Sequence, residues 1–169
     1  MELLNTLSFI SRYIKFSPPP PKIVSLQQFA IIASQFNDFI TKRLLKSCLQ
    51  ELIHHGIKND QITTVWVPGA FEIPVTAKKL ASKKGIDAVI CLGAVIRGET
   101  FHFELIANEA ARGIGQVALD SKKPIVFGVL ATDNINQAYK RSEEVKGPNK
   151  GRDAALAAIE MVDLFDKIK

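Results

Sequence analysis

A chain of 169 residues with 23% charged and 47% hydrophobic side chains has the composition of an ordinary globular domain, and its length requires no second one. Its net charge of +5 is spread along the chain instead of forming a block, which argues against a dedicated nucleic-acid face and suits a small anionic substrate. No apolar run approaches the roughly 20 residues that cross a bilayer, so no membrane segment is expected.

Residues 1–22 lack sustained periodicity and end near Pro18-Pro19-Pro20-Pro21, a run that favours extended geometry and cannot continue a helix. They are expected to form an arm ahead of a single domain over residues 23–169. Arg12 and Lys15 sit in this stretch without the long apolar core and cleavage site of a secretory signal, so a cytoplasmic protein is expected.

Residues 29–34 form a short apolar run that predicts a strand, and a helical pattern follows to about His55. Asn37 or Asp38 can cap that helix, and Gly56 can close it in the left-handed region. Residues 63–67 predict a second strand. Pro68-Gly69-Ala70-Phe71-Glu72 then turns the chain, and Pro74 stands where the first turn of a helix tolerates proline, in a helix expected to reach Lys84.

The continuous run Asp87-Ala88-Val89-Ile90-Cys91-Leu92 predicts a strand covered on both faces. A loop from Gly93 to about His102 leads into helical spacing at Phe103, Ile106, Ala107, Ala110, Ile114 and Val117, with an end near Asp120. Residues 124–130 predict a fourth strand. Residues 134–146 and 153–168 predict two more helices, separated by Gly147-Pro148-Asn149-Lys150-Gly151. Alternating strands and helices give an α/β three-layer sandwich, with a four-stranded parallel sheet covered by helices on both faces. Cys48 and Cys91 fall in apolar patterns and are expected to be small buried hydrophobes, neither paired nor bound to metal.

Parallel topology brings three strand ends together: Phe36, the stretch from Gly69 to Glu72, and the histidine loop. Ligands of open α/β sheets bind in that crevice, and amides opening a helix attract anions. Phe36 and Phe71 there either flank a planar heterocycle or pack into the core. Glu72 either caps its helix or accepts hydrogen bonds from sugar hydroxyls. His102 opens a helix whose positive end disfavours imidazolium; it is either a proton acceptor or a surface residue without a role. Arg97 and Arg141 are candidate phosphate ligands or salt-bridge partners.

Several long motifs carry a family resemblance over residues 29–169. They are Phe36-Asn37-Asp38, the stretch from Val67 to Pro74, the stretch from Gly93 to Glu104, Asn108-Glu109, Phe127-Gly128-Val129-Leu130 and Asn149-Lys150-Gly151. In these the chain resembles the 6,7-dimethyl-8-ribityllumazine synthases. The resemblance implies a flavodoxin-like fold and a transferase of riboflavin biosynthesis that condenses 5-amino-6-ribitylaminouracil with 3,4-dihydroxy-2-butanone 4-phosphate. Phosphate and water are released, and neither cofactor nor metal is required.

By the same resemblance Phe36 stacks on the pyrimidine, Ala70, Phe71 and Glu72 hold the ribityl chain and ring edge, and Val95 and Ile96 line the heterocycle pocket. Gly98, Glu99 and Thr100 contact phosphate, His102 transfers protons, and Lys150 belongs to the substrate-binding set. Phe127 and Arg141 reach in from a neighbouring subunit. Departures are Gln35 and Ala94, where the family often has arginine and threonine, and a 141–150 stretch one residue longer than usual, with Pro148 in it. Such added length accompanies members that stop at homopentamers, and a homopentamer is expected here. Rival readings are a flavodoxin-like binding module, an encapsulating shell protein, and the archaeal riboflavin synthase type that acts on two lumazine molecules.

Overall fold

The chain runs β1 (Phe29–Ser34), α1 (Asp38–His54), β2 (Ile62–Val67), α2 (Ile73–Ala81), β3 (Ala88–Ile96), α3 (His102–Ser121), β4 (Ile125–Thr132), α4 (Ile135–Lys140) and α5 (Lys150–Lys167). These elements come from a computed structural model that describes residues 27–144 and 147–168; the arm expected over residues 1–22 lies outside the described residues. All strand pairs are parallel, in the order β2-β1-β3-β4. The chain therefore winds outward in two directions from β1 and β3, and the carboxyl ends of these two strands flank the point where the winding reverses.

Strand alternation builds the two halves of the core. On β1, Phe29 and Ile31 join Ile40 and Leu44 of α1 and Ala158 and Ile159 of α5 on one face of the sheet. Ala30 and Ile32 join Ile73 and Ala77 of α2 and Ile114 and Val117 of α3 on the other. β1 and β3 are buried on both faces, as an all-parallel sheet requires of its central strands. The expected sandwich is thus the observed one. Cys48 and Cys91 are buried and free.

Four boundaries differ most from expectation. β3 continues through Gly93 and Ala94 to Ile96, in register with β4 up to Ile96 opposite Thr132, so the loop shrinks to the residues between Ile96 and His102. α2 stops at Ala81, because Lys83 and Lys84 are exposed and offer nothing to the core, while Gly85 turns the chain at φ +87°. α4 ends at Lys140, where Ser142 leaves the helix to bridge Asn149. α5 begins at Lys150, since the Asn149 side chain accepts from the N–H groups of Gly151 and Arg152 at 2.9 and 3.2 Å. Gly56 adopts the left-handed conformation expected of it, φ +86°. Among the described residues no helix is long and apolar enough to cross a membrane.

Candidate active site

Past the end of β1 the ladder to β2 continues for two residues: the N–H of Gln35 donates to the Val67 carbonyl at 2.8 Å, and that of Phe36 to the Pro68 carbonyl at 3.0 Å. Asn37 then turns the chain at φ 60°, a left-handed conformation that asparagine tolerates better than most residues. Its carbonyl accepts from the N–H groups of Ile40 and Thr41, but its side chain does not cap the helix. Nδ2 instead donates to the Ala94 carbonyl of β3 at 2.9 Å. The backbone at Phe36 is held between two strands while its ring is 72% exposed.

After β2, Pro68 and Gly69 lead into a 3-10 turn over Ala70–Glu72, which runs directly into α2. Glu72 reaches back, so that its Oε2 accepts from the N–H of Gly69 at 2.9 Å. This closes the turn and leaves Phe71 outside the core, 56% exposed. Between β3 and α3 the short loop carries Gly98, Glu99 and Thr100, all exposed, and His102 is the first residue of α3.

These three strand ends surround one cavity of about 540 Å³. Of the residues expected in the site, Phe36, Ala70, Phe71, Glu72, Val95, Ile96, Gly98, Thr100 and His102 line it. Pro68, Gly69, Ala94, Phe103 and Ile106 complete the wall. In the sequence Phe103 and Ile106 fall on the apolar stripe of α3 and look like core, so spacing alone does not reveal their place in the wall. The polar side chains among the lining residues of a mostly apolar wall are those of Glu72, Thr100 and His102.

Glu99, Phe127, Arg141 and Lys150 are not part of this wall. Phe127 lies half-exposed on β4. Arg141 and Lys150 are neighbours: the Lys150 N–H donates to the Arg141 carbonyl at 2.9 Å, beside the bridge between Ser142 and Asn149. Arg141 also donates from its guanidinium to the Gln137 carbonyl at 3.1 Å, and Lys150 pairs with Asp153 at 2.8 Å. Arg43 of α1 ties this connection down through a 3.0 Å bond to the Ser142 carbonyl.

Arg97 is engaged within the chain. Its Nε donates to Asp133 at 3.0 Å, its terminal nitrogen bonds Glu104, and its guanidinium stacks 4.4 Å from the centroid of the Phe103 ring. Hydrogen bonding from Arg97 holds the Glu104 carboxyl below the usual carboxylate range.

An apolar crevice at the carboxyl ends of a doubly wound parallel sheet, furnished with exposed rings, a carboxylate and a histidine, defines the class: an α/β enzyme that works on small molecules. Comparison with known families gives the particular one. The family described as 6,7-dimethyl-8-ribityllumazine synthase matches residues 27–166, and the chain belongs to it. It is a transferase of riboflavin biosynthesis that joins 5-amino-6-ribitylaminouracil to 3,4-dihydroxy-2-butanone 4-phosphate, and like its family it works as an oligomer.

Proposed function

We propose that this crevice is the larger part of the substrate site and that a neighbouring subunit completes it. The observation that carries this reading is the pair of exposed rings, Phe36 and Phe71, facing the same cavity as His102 and Glu72. Two large rings left in water cost the free chain burial energy, and a flat heterocycle recovers it by stacking.

In this reading the pyrimidine stacks on Phe36, and Val95 and Ile96 form the wall beside it. Ala70, Phe71 and Glu72 hold the ribityl chain; Glu72 keeps Oε1 for a hydroxyl while Oε2 holds the turn. Gly98, Glu99 and Thr100 surround the phosphate with loop amides and a hydroxyl. Condensation requires attack of an amine on a ketone with loss of water, elimination of phosphate, tautomerisation of the resulting enol, and ring closure by the second amine with loss of a second water. Each step moves a proton, and His102 is the imidazole within the cavity that moves it. Much of the acceleration comes from holding two substrates together, so the site works slowly even without that imidazole.

Phe127, Arg141 and Lys150 serve the site of the next subunit. That they do not line this chain's own cavity supports that assignment, as does the anchoring of Arg141 and Lys150 to one connection. The assembly is a cytoplasmic homopentamer, with residues 23–169 as its single domain. Two free buried thiols suit a reducing compartment.

The test combines purified protein with both substrates and follows lumazine fluorescence and phosphate release against the spontaneous background. Coupled acceleration of both signals, by a species that sediments as five subunits, is the expected result. Acceleration left intact in His102→Ala would remove His102 from the mechanism.

A further inference from the structure

The Arg97 guanidinium lies outside the cavity wall yet makes three contacts, one just past β4 and two on α3. Its Nε bonds Asp133, just past β4; its terminal nitrogen bonds Glu104; and its face lies against Phe103. Its own N–H extends the ladder to the Thr132 carbonyl at 2.9 Å. Phe103 and Glu104 are the two residues that follow His102 in the first turn of α3, and Phe103 itself lines the cavity. Among the described residues Glu104 Oε2 is buried with no side-chain partner, and the bond to Arg97 is made through Oε1. One planar group thus joins the ends of β3 and β4 to the turn that carries His102.

A surface ion pair of this exposure contributes little to stability, and an ammonium could not satisfy all three contacts. A flat fork can grip two carboxylates and stack on a ring together, which fixes a direction as well as a distance. We infer that Arg97 is a positioning residue: through Phe103 and Glu104 it sets where the His102 imidazole stands in the cavity, and it does not bind the phosphate. This rests on the reading of His102 as the proton-transfer group.

The experiment measures kcat and both Michaelis constants for Arg97→Ala, Arg97→Lys, His102→Ala and the Arg97→Ala, His102→Ala double variant, in the full-length assembled enzyme. Arg97→Ala should lower kcat by about tenfold, as a slightly misplaced group does, while KM for the ketose phosphate stays within about twofold. Arg97→Lys, retaining charge without the fork, should recover little of that loss. In the double variant the two losses should not multiply, because Arg97 has nothing left to position. Glu104→Gln, which keeps the side chain's shape, should reproduce the kcat loss and covers the case of an Arg97→Ala protein that does not fold.

A large rise in KM for the ketose phosphate with kcat unchanged would make Arg97 a phosphate ligand and overturn the inference. So would losses that multiply in the double variant, or an Arg97→Lys enzyme equal to the parent. If His102→Ala alone leaves kcat intact, the reading of His102 fails and this inference falls with it, a result separable from the others because it needs no Arg97 variant.

Discussion

The side chain of Asn37 bonds the carbonyl of Ala94 at 2.9 Å, across the two strands at which the winding of the sheet reverses. This bond is made by a residue in the left-handed region, φ 60°, immediately after the ring proposed to stack on substrate. Asn37→Ala removes the bond, leaves a buried-side carbonyl short of a partner and strains the turn, each worth roughly 1 kcal/mol or more. Asn37→Gly removes the bond and leaves the same carbonyl short, but relieves the turn of strain. Urea denaturation should therefore rank the parent above Asn37→Gly, and Asn37→Gly above Asn37→Ala. Both variants should raise KM for the pyrimidine, since Phe36 is no longer held. Equal KM values in all three proteins would mean that the tether is structural only.

Phe36 separates binding from stability. At 72% exposure its ring adds little to the core, so Phe36→Ala should change unfolding free energy by no more than about 0.5 kcal/mol. Loss of a stacking partner costs about 0.5–1.5 kcal/mol beyond area, which is up to roughly tenfold in affinity for the pyrimidine. Calorimetric titration with the pyrimidine alone measures this. A stability loss of several kcal/mol with unaltered affinity would return Phe36 to the core.

How far these features were legible in the sequence depended on how many residues had to cooperate. The two central strands and the apolar stripe of α3 could be read because each repeats one signal over several positions. The end of β3 could not: Gly93 and Ala94 weaken the apolar run, and only pairing with Val129 and Leu130 of β4 keeps the chain extended. The end of α4 is not legible either, because nothing local announces that Ser142 will pair with Asn149. In the site, Phe36 could be suspected from its position after a strand, whereas its exposure could not, because exposure depends on the clamps to Pro68 and Ala94. For Arg97 the sequence leaves both a phosphate ligand and a salt-bridge partner open, because Asp133, the partner it bonds, is brought alongside only by β4.

Subunit complementation tests where Arg141 acts. If His102 and Arg141 of one site come from different subunits, His102→Ala and Arg141→Ala chains dissociated and reassembled together will form some sites holding both parental residues, about a quarter of them in a random ring. Activity should rise to roughly that fraction of the parent, and Arg141→Ala alone should show a much higher KM for the ketose phosphate. Mixed oligomers no faster than the two separate variants would place both residues in one chain's site.

Gly151 sits where α5 crosses α1. A Cβ there would lie 2.0 Å from the Leu44 carbonyl oxygen and 2.8 Å from the Leu44 Cα, which are backbone atoms with no rotamer to change. Gly151→Ala must push the two helices apart along a buried seam that includes Leu44, Ala154 and Ala155. The cost should reach about 3 kcal/mol, the upper end of overpacking effects, despite alanine's better helix propensity. Denaturant melts will show it as a lower midpoint with an unchanged slope. A midpoint within error of the parent would mean that the helices separate freely there.

The two thiols link stability to pH. Burial pushes Cys48 and Cys91 up to about 12, whereas in the unfolded chain a thiol ionises near about 8.5. Below that point both states hold the proton and the thiols contribute no slope. Above it the unfolded chain releases protons that the folded chain retains, so unfolding is favoured and stability falls as pH rises between about 8.5 and 12. Native protein at pH 8 should resist a thiol reagent at both positions, and both should react at once in denaturant. Cys48→Ser or Cys91→Ser would confuse the measurement by burying a hydroxyl, so Cys48→Ala and Cys91→Ala are the variants to compare. Each should flatten the alkaline fall in melting temperature, and an alkaline limb identical in the double variant would assign that fall to other groups.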